Sequence, residues 1–371
     1  MTTSGSTLSV EVCTDEHVFA SLAEEWGRLY RACRLATPFQ SHAWLHSWWL
    51  SYGTPGRLRL VLVREHGELV AAAPLMRVHR PVPALVALGG GISDFCDVLL
   101  DEALAARAAP ALADALADAA RTAVIDFREV RPGAAVERVY QSWRGPRRRL
   151  SDSECLELPV LPMDELVKRL PRARAQRVRN KMNKLHRLGL QWRAVGHDEA
   201  EAALRRLLEL HRLQWQGRKV TPEHLRPRFL DHLVRSVVPL ARSGEAVVKE
   251  FRLEDEVVAV DLTFQSRQLA GKYLYGVHPV LRERKLDATT MLLCAAVDDL
   301  SCQGPPVLSM LRGTEPYKYR WSPQSVVNQR LLLARRRTAP LLAAAVGEAA
   351  ARGWGKKVLR RGADAGAAAS R

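Results

Sequence analysis

Apolar and polar residues along this chain fall into two alternating textures. Where the period is near two, strands are predicted; where apolar positions recur every three or four residues, helices are. Strand-like runs lie at Leu8–Val12, Leu58–Arg64, Glu68–Val78, Leu85–Leu88, Val98–Leu100, Thr122–Phe127 and Cys155–Val160. Helical patterns stand between them at His17–Cys33, His42–Tyr52 and Pro110–Arg121, and the Arg-rich stretch Trp143–Arg149 reads as a loop. Past Pro162 the alternation begins again. A helix is expected over Asp164–Leu188, kinked at Pro171, whose ring removes an amide donor. Strand Leu190–Val195 and helices His197–Gln216 and Pro227–Ser243 follow. Strands Glu245–Leu253, Val257–Gln265 and Ala270–Val277 then lead to a helix from Asp287 to about Cys302. Val307–Leu311 and Ser325–Arg335 are the last strands.

The two halves echo each other. Arg64–Ala72 and Arg252–Val260, at a constant offset of 188 residues, both read as strand, tight acidic turn, strand. The wider order (helices, antiparallel meander, helix, strand) also repeats, which favours duplication. The expected organisation is an N-terminal unit over residues 1–160 and a second unit over 161–337. Residues 338–371 would form an Ala/Arg-rich helix fraying into a disordered tail. A chain of 371 residues is long enough for two such cores.

Charge and composition narrow the classes. The longest apolar run, within Ala108–Ala120, is broken by Asp114 and Asp118, so no membrane span is expected, and the N-terminus lacks a signal-peptide pattern. The cytoplasm is the default expectation. Six scattered cysteines and dispersed histidines match no metal-ligand spacing, so no metal is expected. A net charge of +16 suits a polyanionic partner, although an Arg-rich composition alone yields the same number.

Three strings carry a family resemblance: Pro38-Phe39-Gln40-Ser41-His42-Ala43-Trp44 with Trp48-Trp49, Gly91-Ile92-Ser93-Asp94-Phe95-Cys96-Asp97, and Leu311-Arg312-Gly313-Thr314-Glu315-Pro316-Tyr317-Lys318-Tyr319-Arg320-Trp321. Together they resemble the CelD/BcsL-type acetyltransferases of the GNAT superfamily, relatives of the FemABX aminoacyl transferases. The resemblance runs from about Leu8 to Arg335. It implies an α/β (α+β) fold of tandem GNAT-like, acyl-CoA N-acyltransferase domains, with mixed, mostly antiparallel sheets flanked by helices. It also implies a degenerate, acceptor-shaping first half and a donor-binding, catalytic second half.

The resemblance directs attention to particular residues. A donor pyrophosphate would lie at the turn opening the helix after the third meander strand, here Arg282, Arg284, Lys285, Ala288 and Thr289. That turn lacks glycine and carries Asp287, which suits an N-cap and would repel a pyrophosphate. Tyr273 or Tyr275 could donate a proton to the leaving group; sheet packing is the alternative. Lys318 would polarise the tetrahedral intermediate and Glu315 would take the amine proton, unless Glu315 simply pairs with Arg312. Asp94 and Asp97, after a triple glycine, are candidates for acceptor positioning or for the base, with an Asx-bonded turn as the alternative. Arg312 and Trp44 complete the acceptor-side set. Arg177 and Lys181 belong to a basic helical stripe between Arg174 and Arg187, fit for phosphates or simply a solvated face.

The expected activity is N-acyl transfer from acyl-CoA to an amine by direct attack. The alternatives are a Fem-like, aminoacyl-tRNA-dependent amide synthesis and a non-catalytic binding module. No tightly bound cofactor is expected, only acyl-CoA or aminoacyl-tRNA as co-substrate. The acceptor would be a small-molecule or saccharide amine, with tRNA as a possible partner. The sequence leaves open the oligomeric state and which of Asp94, Asp97 and Glu315 is the base.

Overall fold

The computed structural model describes residues 8–79, 81–217, 221–300 and 304–352. The first half supplies strands β1 (Leu8–Cys13), β2 (Leu58–Glu65), β3 (Glu68–His79), β4 (Pro83–Ala87), β5 (Leu99–Leu100), β6 (Val124–Val130) and β7 (Arg147–Pro159). The second supplies β8 (Gln191–Ala194), β9 (Ala246–Leu253), β10 (Glu256–Gln265), β11 (Leu269–Val277), β12 (Val307–Arg312) and β13 (Gln324–Leu333). All join one mixed sheet in the order β1-β2-β3-β4-β6-β13-β7-β12-β11-β10-β9-β8, with β5 beside β3.

That order is a palindrome of roles. Counting inward from either edge, three consecutive antiparallel pairings lead to a parallel pair, β4–β6 on one side and β11–β12 on the other. Each half then hands its last strand across: β13 lies on β6, and β7 lies on β12. The two exchanged strands pair antiparallel with each other at the centre of the sheet. Both leading hairpins turn through left-handed residues, His66–Gly67 and Glu254–Asp255, as their short polar turns require.

Helix His42–Tyr52 of the first half packs on helix Pro227–Arg242 of the second. Across that contact His232 is fully buried against Trp44, with ring centroids 4.3 Å apart. One hydrophobic core, including Phe39, Trp44, Leu62, Leu207 and Phe264, runs through both halves. Gly276 lets helix Ala200–Gln214 lie directly on β11; a Cβ there would sit 2.2 Å from the Leu207 carbonyl oxygen.

Some expected boundaries move. The helix anticipated over Asp164–Leu188 is two helices, Met163–Lys168 and Arg172–Arg187, broken at Pro171. The stretch Trp143–Arg149, expected as a loop, enters a long strand at Arg147. Pairing of Arg147–Arg149 with Leu331–Leu333 and stacking of Arg147 over Tyr140 outweigh its polar sequence. Residues 339–352 are helical; the tail expected beyond them, and Cys302, lie outside the described residues. No helix among the described residues is long and apolar enough to cross a membrane.

Candidate functional site

β11 and β12 pair over only three positions, Leu269–Gly271 with Val307–Ser309, and then part. A cavity of about 410 Å³ opens between them, walled by Tyr273, Tyr275, Met310 and Leu311. Its rim draws on both halves: Gly91, Ile92 and Asp94 from the first, Arg312, Glu315, Tyr317 and Lys318 from the second.

Arg312 joins the halves at this rim. Its backbone amide and Nε both donate to Asp94 Oδ1, at 3.1 and 3.0 Å, and Nη1 reaches Glu129 Oε1 at 3.2 Å. Burial opposes the guanidinium charge, but the two carboxylates outweigh it and move its pKa up. Asn328, from exchanged strand β13, donates to Glu129 Oε2 at 3.1 Å and braces the same cluster. The pair anticipated between Arg312 and Glu315 is therefore replaced: Asp94 and Glu129 hold Arg312, and Glu315 turns to Lys318.

Lys318 is 5% exposed and lines the cavity. Its Nζ donates to the Arg312 carbonyl at 2.9 Å, contacts Glu315 Oε2 at 2.9 Å, and reaches the Gly313 carbonyl at a looser 3.4 Å. The long contact is the one an incoming oxyanion can replace at least cost. Tyr275 is hydrogen-bonded to Tyr317, and burial raises the pKa of both phenols. Tyr273 also borders the cavity, but its hydroxyl donates to the Ile92 carbonyl at 2.9 Å and its ring packs on Phe264 and Trp44.

Other expected residues go elsewhere. Trp44 is fully buried, its indole N–H bound to Ser93 Oγ at 2.8 Å, so it belongs to the core and not to the cavity wall. Asp97 faces away from this cavity: its carboxylate accepts the amides of Val98, Ala135 and Val136 at 2.7–2.8 Å. It anchors helix Val136–Ser142, and burial, partly offset by those amides, lifts its pKa to about 7.

The turn anticipated as a pyrophosphate cradle is closed by its own side chains. Asp287 accepts from the Thr290 amide at 2.9 Å and the Thr289 hydroxyl at 2.5 Å, capping helix Ala288–Leu300. Arg320 at 3.1 Å and Lys181 both pair with the same carboxylate. Burial works to raise the pKa of Asp287, but the Lys181 ammonium, the Thr289 hydroxyl and the Thr290 amide hold it down at about 2. Arg284 pairs with Glu254 at 2.7 Å, Arg282 and Lys285 are exposed outside the cavity, and of the turn residues only Thr289 lines it. The basic stripe is likewise partly committed: Lys184 donates to the Arg284 carbonyl at 2.8 Å and Arg174 to Ser322 at 3.2 Å, while Arg177 stays exposed.

Sequence reasoning passed over three other cavity residues. Lys272, desolvated so that its pKa falls, pairs with Oδ2 of buried Asp261, whose Oδ1 has no hydrogen-bond partner. His211 and His224 also line the cavity and contact each other, Nε2 to Nδ1, at 3.3 Å. Nothing in their spacing marks them, because a helix and a separate 3₁₀ turn bring them together. No group of three or more metal-binding side chains occurs among the described residues.

Residues 172–319 match the family model described as an acetyltransferase (GNAT) domain. The match spans β8 to β12 and the Lys318 turn, so most of the cavity's second-half lining lies within a stretch that matches an acyltransferase domain of the GNAT type. Solved structures extend the likeness across both halves. FemX superposes with a TM-score of 0.59 at 11% identity, over 86% of this chain and 98% of its own. The C-terminal domain of a putative lysylphosphatidylglycerol synthetase from Agrobacterium fabrum gives 0.56 at 12% identity, over 88% and 96%. L-PGS from Bacillus licheniformis gives 0.53 at 15% identity, over 89% and 95%. At such identities the likeness is one of fold. No curated protein matches the chain in sequence.

Proposed function

We propose that the protein forms an amide by direct attack of an amine on an activated acyl ester, with an aminoacyl-tRNA as the donor. The occupied amino terminus of helix Ala288–Leu300 carries this reading. A coenzyme A pyrophosphate placed there would meet the Asp287 carboxylate, already neutralised by Lys181 and Arg320. Displacing Asp287 uncaps the helix, at about 1 kcal/mol, and breaks both of its ion pairs. A tRNA-borne ester needs no pyrophosphate grip. It needs positive surface, which exposed Arg177, Arg282 and Lys285 and the net charge of +16 supply. The fold shared with FemX and with a lysylphosphatidylglycerol synthetase domain agrees with aminoacyl transfer.

In this scheme the acyl carbonyl lies in the opening between β11 and β12. Lys318 exchanges its long Gly313 contact for the developing oxyanion. Asp94, held by Arg312, and Glu315 face the amine of a small-molecule or saccharide acceptor. Among the described residues no cysteine lines the cavity, and burial raises the thiols of Cys33, Cys96, Cys155 and Cys294 to about 11 or 12, which disfavours the thiolate that a covalent relay needs.

Acyl-CoA is the second reading, favoured by the acetyltransferase family model over residues 172–319. Incubating purified protein with a panel of acyl-CoAs and charged tRNAs, then scoring donor consumption by mass spectrometry, separates the two. Consumption of charged tRNA alone is expected; consumption of acyl-CoA alone overturns the donor assignment and leaves acyl transfer standing.

A further inference from the structure

We infer that His224 is the proton acceptor for the attacking amine and that His211 is the residue that positions it. The inference rests on the acyl-transfer reading above and adds the base that reading leaves open. The tautomers follow from the contacts. His211 Nδ1 lies 2.8 Å from the Tyr275 carbonyl oxygen, which can only accept, so Nδ1 carries the hydrogen. His211 Nε2 is then a lone pair. His224 Nδ1 lies 3.3 Å from it and must donate, which leaves His224 Nε2 as an unprotonated acceptor on a ring that lines the cavity.

The support is built in. Phe229 stacks on the His224 ring with centroids 4.8 Å apart, fixing its plane. Gly276 permits the close approach of helix Ala200–Gln214 to β11, which brings His211 onto the Tyr275 carbonyl. The arrangement has the logic of an oriented imidazole, with a neighbouring acceptor holding the tautomer and sharing the charge once it forms. Desolvation lowers the pKa of both rings, His224 to about 4, so the pair is neutral near neutral pH. Glu223 beside His224 favours the cation; Tyr275, Tyr317, Glu315, Lys318 and Lys272 share the cavity.

The step balances simply. The amine nitrogen bonds to the acyl carbon, its proton passes to His224 Nε2, and the intermediate collapses with cleavage of the bond to the leaving oxygen or sulfur. His224 returns the proton to that atom, giving an amide and a free hydroxyl or thiol. Glu315, drawn to Lys318, is thereby freed from the role of base.

Two experiments test this on the full-length protein. With ¹⁵N-labelled histidine, NMR at neutral pH is expected to show His224 protonated on Nδ1 and bare at Nε2; the opposite tautomer, or an imidazolium, overturns the proposal. With the donor found by the panel, His224→Ala and His224→Gln are expected to lower kcat by about 10²–10⁴-fold with KM little changed, and added imidazole is expected to restore part of the His224→Ala loss. Near-normal turnover in both folded variants overturns it. His211→Phe is expected to scramble the His224 tautomer in the same spectra; an unchanged spectrum removes the positioning role. If the wild-type protein consumes no donor, acyl transfer falls and the base role falls with it, while the tautomer measurement still decides the protonation state of the His211–His224 pair.

Discussion

The molecule contains the same opening twice, and uses it in opposite ways. β4 pairs in parallel with β6 over three positions, just as β11 pairs with β12, and both pairs then separate. Each later strand carries a left-handed residue beyond its paired stretch, Glu129 with φ 53° and Leu311 with φ 54°. In the first half the chain fills its own gap. Cys96 donates its amide to the Glu129 carbonyl at 3.0 Å, its thiol faces the Leu88 carbonyl, and Asp97 is tied to helix Val136–Ser142. In the second half the gap remains as the cavity bordered by Tyr275, Leu311 and Lys318. The plug of the first half ends in Asp94, whose carboxylate holds Arg312 of the second. One copy has become a wall of the other, and the exchange of β7 and β13 locks that relation into the sheet.

If this division of labour is right, Lys318→Met separates the two halves most sharply: kcat/KM falls by about 10²–10³-fold, measured with the donor from the panel. Asp97→Asn, in the plugged half, leaves turnover per folded molecule unchanged. Equal losses in the two variants would erase the distinction. Next in size is an acid-dependent weakening of the contact between the halves. Desolvation lowers the pKa of His232 from 6.5 to about 3. A depressed folded-state pKa means that unfolded chains take up the proton first, so stability is complete above pH 6.5 and is lost as pH falls toward the folded value. At about 1.4 kcal/mol per unit, His232 contributes roughly 3 kcal/mol of loss by about pH 4. Urea unfolding across that range is expected to show the loss, and His232→Phe to reduce it.

The hairpins, the repeat and the order of elements were legible because they rest on local periodicity and turn chemistry, while their GNAT character came from the family resemblance of three strings. Arg64–Ala72 and Arg252–Val260 state their turns in sequence, and both fold as read. The exchange of β7 and β13 was not legible, since it depends on which edge each last strand meets. Nor was the strand at Arg147–Arg149, whose polar run is stabilised by Leu331–Leu333 across the sheet. Asp94 and Asp97 show the same limit within a single loop. Three residues apart, one meets a guanidinium at the cavity and the other meets helix amides, and only tertiary placement separates them. Lys318 could be singled out because a cation among aromatics asks for an explanation. The His211–His224 pair could not, because neither residue has a local signature.

Smaller effects sharpen the contrast further. Asp97→Ala removes the acceptor for three buried amides and is expected to cost about 1–3 kcal/mol in unfolding experiments, again without change in turnover per folded molecule. Asp287→Ser tests the open half at its most informative point. Serine keeps an N-cap oxygen for Thr290, so the stability loss stays within about 1 kcal/mol. It also releases Lys181 and Arg320 from their shared carboxylate. Two freed cations beside a helix amino terminus form an anion site, so the variant is expected to bind coenzyme A more tightly than wild type in calorimetry. Unchanged affinity would mean that the Asp287 clamp is not what bars a pyrophosphate there. The donor would then have to be assigned from the cavity alone, and the difference between the two halves would reduce to one being filled and the other not.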